Sequence, residues 1–172
     1  MIVVKRAGTE QSFDTMKMSH FISNMVNMTP KLYGVDVSKT VKSIKNGLTD
    51  RMSSDEILNY VTNHCASLGS HSHDYSILAG RISMIMIYNN TPSSFTEAMK
   101  RISSILLPSY LEKVLSYNYD QHIVEHNDFK YDILGISTLK RSYLLRDAKG
   151  IVERPQYMLM RVAVFLCDSP EE

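Results

Sequence analysis

Cysteine is scarce: the 172 residues hold two, Cys65 and Cys167. They lie in separate apolar periodic segments with no C-x-x-C spacing, which argues against a disulfide framework and a thiolate zinc site. Both are expected to be reduced core residues. A dominant charge is also missing, since 19 Lys+Arg stand against 18 Asp+Glu for a formal net charge of +1. That balance produces no field able to recruit a polyanion such as duplex DNA, so any nucleotide binding must come from a local cluster. No apolar run approaches the roughly 18 residues of a spanning helix. Ile2-Val3-Val4-Lys5 carries neither a charged leader nor an apolar h-region, so a cytoplasmic location is expected, with no membrane and no nucleic-acid partner. Internal repeats and low-complexity tracts are absent as well. What remains is a chain 44% hydrophobic, long enough for one or two small domains with a real core.

The pattern predicts a mainly α protein. Ile2 to Lys5 and Gln11 to Phe13 read as a short hairpin around Ala7-Gly8-Thr9. Met18, Phe21, Ile22, Met25 and Val26 follow helical spacing, ended by Thr29-Pro30. A second helix carries Val37, Val41, Ile44 and Leu48 on one face. A third opens with the capping box Ser53 to Glu56 and stops at Gly69. The fourth, from about Asp74 to Tyr88, is apolar around most of its circumference and should be central. Asn89-Asn90-Thr91-Pro92-Ser93-Ser94 is the expected boundary between two domains, 1–92 and 93–172. Beyond it, Phe95 to Leu106 reads as an amphipathic helix interrupted by Pro108, and Tyr110 to Tyr119 as a shorter one. Phe129 to Leu145 reads as largely helical with Gly135 as a weak point, and Arg146 to Val152 as a connector turning at Lys149-Gly150. Pro155 takes a first-turn position in a helix running to about Leu166. Asp168 to Glu172 reads as a polar, frayed end.

Two histidine patterns invite a metal reading. His122-Ile123-Val124-Glu125-His126 fits H-x-x-E-H, in which two histidines a helical turn apart would hold zinc. No third ligand is identifiable and Asn127-Asp128 suggests a turn, so a solvated helix end is the expectation. His64, Cys65, His71 and His73 could converge across Gly69-Ser70, but Cys65 belongs to an apolar face that His64 does not share. The chain is expected to hold no metal. Most of the eleven methionines fall where helical spacing predicts core.

Four stretches carry a resemblance. Glu153-Arg154-Pro155-Gln156-Tyr157-Met158-Leu159-Met160-Arg161, read with Leu139-Lys140-Arg141-Ser142-Tyr143-Leu144-Leu145, resembles the large subunit of class I ribonucleotide reductase. The segment from Val3 to Met18, with the downstream Asp74-Tyr75-Ser76-Ile77-Leu78-Ala79-Gly80-Arg81 resembling D-Y-x-x-L-A-A-R, is similar to that family's ATP-cone, a module sensing ATP against dATP. The resemblance implies a β-capped four-helix cone followed by a helical segment preceding the catalytic barrel. It implies that the radical-forming and redox cysteines belong to that barrel, so that this chain alone should be catalytically inactive. Lys5, Arg6 and Lys17 match basic positions of the family's nucleotide site, and Met18 an apolar one against the base. Gln11 stands where glutamate is usual, Ser54 for threonine, Leu58 for a polar residue, and Asn89 for a phosphate-binding lysine. Losing one charge-assisted contact costs about 1.5 to 3 kcal/mol, so the resemblance implies a cone whose fold survives with weakened affinity for ATP or dATP. Arg141, Arg154 and Arg161 match arginines expected to be structural. The implied role is the N-terminal regulatory portion of a ribonucleoside-diphosphate reductase. Its partners would be the rest of a large subunit, a small radical-generating subunit, and thioredoxin or glutaredoxin. The alternative is a non-enzymatic interaction protein that docks on a reductase subunit or another partner.

Overall fold

A computed structural model describes residues 1–167; the expected polar end at 168–172 lies outside the described residues. The chain packs as two compact units, residues 1–86 with 130–136, and residues 87–129 with the chain from Ser137 onward.

In the first unit, β1 (Ile2–Val4) pairs antiparallel with β2 (Glu10–Ser12), placing Val3 opposite Gln11. Gly8 makes the turn at φ +77°, a left-handed conformation that costs glycine little. Helix α1 (Thr15–Asn27) starts at Asp14, whose Oδ1 accepts from the Met16 and Lys17 amides, and α2 (Val37–Gly47) starts at Asp36, which accepts from Lys39 N–H. A third strand, β3 (Met52–Ser53), runs parallel to β1 and completes a sheet ordered β2-β1-β3. The hairpin reading missed it. Two residues that also begin a helix cap leave no alternation to detect. The capping box that opens α3 (Ser54–Ser67) is formed in both directions, Glu56 N–H to Ser53 Oγ at 3.2 Å and Ser53 N–H to Glu56 Oε2 at 2.7 Å. Helix α4 (His73–Asn90) brings Leu78, Ala79 and Ile82, all fully buried, against Ile22, Ile44 and Val61.

The residues Asp74 to Arg81 act as a staple for the α1–α2 connection. Arg81 has no exposed surface, and its guanidinium donates to the carbonyls of Met25 at 2.6 Å, Met28 at 3.3 Å and Pro30 at 2.5 Å. Carbonyls at a helix C-terminus lack intrahelical donors, so a buried cation there supplies both hydrogen bonds and the favourable end of the macrodipole. Burial pulls the guanidinium pKa down and the Asp74 charge pushes it back up. Asp74 Oδ2 accepts from Gly34 N–H at 2.6 Å, and Tyr75 Oη accepts from Asp36 N–H at 3.3 Å. Gly80, where the family motif has alanine, lies under residues 131–132: an added Cβ would collide with the Tyr131 carbonyl oxygen and lie 2.7 Å from the Asp132 carbonyl carbon.

The second unit holds the helices α5 (Phe95–Arg101), α6 (Pro108–Ser116), most of α7 (Ile133–Ser142) and α8 (Pro155–Leu166). Pro108 opens α6 rather than merely interrupting its predecessor, since its missing N–H is harmless in a first turn. The helix expected from Phe95 to Leu106 ends at Arg101 and tightens into a 3-10 turn at Ser103–Ile105. Two further 3-10 turns, Tyr119–His122 and Glu125–Lys130, precede α7. The connector is a small hairpin, β4 (Arg146–Asp147) with β5 (Gly150–Ile151). Phe95 packs edge-on against Tyr119 and Tyr157 at the centre of this core.

The E-R-P-Q-Y segment is explained by buried polar contacts. Glu153, fully buried, accepts from Arg161 Nε at 2.5 Å and from the Leu145 amide at 2.9 Å. Arg154 lies 3.8 Å above the Tyr88 ring and donates to Glu125 at 2.7 Å and Thr91 Oγ1 at 3.1 Å. Asp128, fully buried, accepts from Tyr88 Oη–H at 2.9 Å and from the Gln156 amide in the first turn of α8 at 2.8 Å. Arg154 and Arg161 are thus structural, as expected; Arg141 is exposed.

Arg81→Met leaves three inward-facing carbonyls without this donor, and we expect a loss of about 3 kcal/mol or more, read as a lower urea midpoint at unchanged slope. A second expectation concerns pH. Burial raises the Asp128 carboxyl to about 6 against the hydrogen bonds from Tyr88 and Gln156 that lower it. The folded state therefore binds a proton that the unfolded chain releases near pH 4. This group's contribution to stability is full below that pH and is lost as pH rises through about 6, on the order of 2 kcal/mol. Urea titrations across that window should show the slope in the native sequence and its absence in Asp128→Asn.

Candidate functional site

The first unit encloses a cavity of about 230 Å³ between the sheet and the N-terminal turns of α1 and α3. Its apolar wall is Val3, Phe13, Met18, Phe21, Ile57 and Leu58, and its polar groups are Lys5, Gln11, Ser12, Asp14, Lys17 and Ser54. Register explains the convergence. Val3 and Gln11 are paired across β1 and β2, Lys5 continues β1 into the turn, and the parallel pairing of Val4 with Ser53 sets Ser54 beside the strand end, its Oγ 3.5 Å from the Val4 carbonyl. On α1, Lys17, Met18 and Phe21 lie within one helical turn, so a charge and two apolar groups reach the same opening.

Of the seven nucleotide-site candidates, Lys5, Gln11, Lys17, Met18 and Ser54 line this one cavity. Arg6 does not. Its guanidinium is held by Asp55, with Nη2 to Oδ1 at 2.5 Å and Nε to the two carboxylate oxygens at 3.2 and 3.4 Å. Asn89 is exposed in the last turn of α4 and is absent from the lining. The Gly8 amide donates to the Lys5 carbonyl at 2.8 Å, so it is spent inside the turn. Glu10, on the strand face opposite Gln11, pairs with Arg51. Spacing could not reveal Phe13, Asp14 and Ile57 as lining residues; Asp14 declares itself only as a helix cap, and the other two as core.

The cavity is smaller than the roughly 300 Å³ at which whole small-molecule sites begin. It suits one planar apolar group, with Lys5 and Lys17 placed to meet an anionic extension at the mouth. Two lysines against Asp14, whose carboxylate is already engaged with two backbone amides, give a modest positive bias.

The histidine patterns form no metal centre among the described residues, where no group of three or more His, Cys, Asp or Glu is positioned to hold an ion. His122 ends one 3-10 turn and His126 lies in the next, so they do not share an α-helical face; His122 contacts Tyr117 Oη at 3.1 Å. Cys65 is buried and its thiol is pushed up to about 12 by desolvation. His64 stacks on Tyr60. No helix among the described residues is long and apolar enough to cross a membrane.

A β-capped four-helix unit with this cavity defines a class, and sequence comparison agrees: residues 1–90 match the ATP cone domain. Residues 129–172 match the ribonucleotide reductase all-alpha domain. The chain belongs to the ribonucleotide reductase large-subunit family and corresponds to its N-terminal region. The ribonucleoside-diphosphate reductase large subunit of Dictyostelium discoideum is 34% identical over 179 residues, which is 95% of this chain and 21% of that protein. That of Arabidopsis thaliana is 30% identical over 182 residues, 95% of this chain and 22% of that protein. That of African swine fever virus (strain Badajoz 1971 Vero-adapted) is 35% identical over 127 residues, 68% of this chain and 16% of that protein. The chain thus spans about a fifth of the length of the first two of these curated relatives.

Proposed function

We propose that this region is a nucleotide-responsive regulatory element of a ribonucleoside-diphosphate reductase, with ATP or dATP as the effector. The observation that carries the reading is the gathering of Lys5, Gln11, Lys17, Met18 and Ser54, separated by up to 49 positions in sequence, around one cavity. The base and sugar would occupy the apolar floor beside Met18 and Leu58, with the phosphates facing Lys5 and Lys17. Ser54 Oγ and the Gln11 amide are the neutral polar groups that would orient the sugar or base. We take the effector domain to be residues 1–92.

Such a site works allosterically when the effector binds two states of an assembly unequally. The partners that would make those states are the remainder of a large subunit and a small radical-generating subunit, and the reaction served would be reduction of ribonucleoside diphosphates to deoxyribonucleotides. The departures at Leu58 and Asn89 and the sequestered Arg6 support a site of reduced affinity.

Calorimetric titration with ATP and dATP tests the reading. Saturable binding at about one equivalent is expected, weakened about tenfold in Lys17→Ala through loss of one charge-assisted contact. Absence of binding at millimolar nucleotide, or an affinity indifferent to Lys17, would remove the cavity from the account.

A further inference from the structure

Arg6 and Asp55 flank the mouth of the cavity: Lys5 and Ser54, the residues immediately before them, both line it. The contact between them is a fork, in which Nε and Nη2 of one guanidinium share the two oxygens of one carboxylate. This geometry is also the one in which arginine grips a phosphate. One carboxylate therefore occupies the donors that a polyphosphate at this mouth would use.

The charge balance gives the contact weight. The cavity is lined by two cations, Lys5 and Lys17, and one anion, Asp14. Arg6 would be the third cation, but its charge is paired with Asp55. Asp55 lies in the first turn of α3, where Glu56 already supplies an acidic group and closes the capping box with Ser53. The helix start is therefore satisfied without Asp55. The pair is also breakable. The side chains are 42% and 44% exposed, and ion pairs this wet contribute only about 0 to 1 kcal/mol.

We propose that Asp55 is a built-in competitor for phosphate, which holds Arg6 away from the cavity and sets the affinity of this site for polyphosphorylated ligands. The inference rests on the nucleotide reading of the cavity. A ligand recognised through its base alone does not meet the competitor, whereas a nucleoside triphosphate must displace it. Asp55 thus makes the site discriminate by phosphate content less sharply than its cations would allow.

The test compares the native chain with Asp55→Asn, Arg6→Ala and the double variant, titrated with ATP, with inorganic triphosphate and with adenosine. Asp55→Asn should bind ATP and triphosphate about two- to fivefold more tightly, the scale of freeing one exposed guanidinium, with adenosine unchanged. The gain should vanish when Arg6 is alanine. Thermal melting of Asp55→Asn, with Asp55→Ser as a second replacement, controls for the helix start. If the two proteins bind ATP equally, or if both Asp55 replacements bind it more weakly at unchanged melting temperature, the competitor is refuted while the nucleotide site stands. If neither binds ATP, triphosphate or adenosine, the nucleotide reading fails and the competitor with it.

Discussion

The first unit depends on a cation buried in its core. Arg81 has no exposed surface, and its guanidinium spans the carbonyls of Met25, Met28 and Pro30. A charge taken out of water must be compensated. The negative end of α1 and the chain leaving it supply part of that compensation, and the Asp74 charge adds to it. Because α1 also carries Lys17 and Met18, the contact that ends the helix fixes the position of the cavity's wall. Asp74 and Tyr75, one to two turns earlier on α4, hold the Gly34 and Asp36 amides of the same connection. A run of eight residues thus serves the site without touching it.

The second unit solves a similar problem with side chains. Glu153 is fully buried and faces Arg161; Arg154 bridges Glu125, Thr91 and the ring of Tyr88; Asp128 receives Tyr88 and the start of α8. A half-satisfied network of this kind would cost more than an apolar core. Every one of these charges has a partner in hydrogen-bond range, so the E-R-P-Q-Y segment is best understood as the hub that fixes α8. The segment lies within the 129–172 match to the reductase all-alpha domain, and none of these side chains lines the cone's cavity.

The cavity of the first unit joins a continuous apolar wall to a charged lining of Lys5, Lys17 and Asp14. Met18, Phe21 and Leu58 form a continuous wall. At the rim, Gly8 turns its amide inward and Arg6 is committed to Asp55. Both features reduce the N–H donors left for an anion at the opening, while the apolar wall is made by other residues.

Local signals were legible in the chain itself. The capping box at Ser53 and Glu56, the proline opening α8, the helical spacing of the four cone helices and the glycine turn each depend on neighbours within a few residues, and each forms as read. The same holds for the mainly α class and the family, carried by contiguous motifs. Three matters needed the tertiary structure. β3 exists only because Met52 and Ser53 find β1, 49 positions away. Arg6 is withdrawn from the cavity only because the start of α3 brings Asp55 within reach. Arg81 and Glu153 are buried only because carbonyls and a guanidinium elsewhere in the chain make that burial tolerable. A sequence records which groups are available, but the partner of a charge is a matter of distance in space, and that distance is decided by packing.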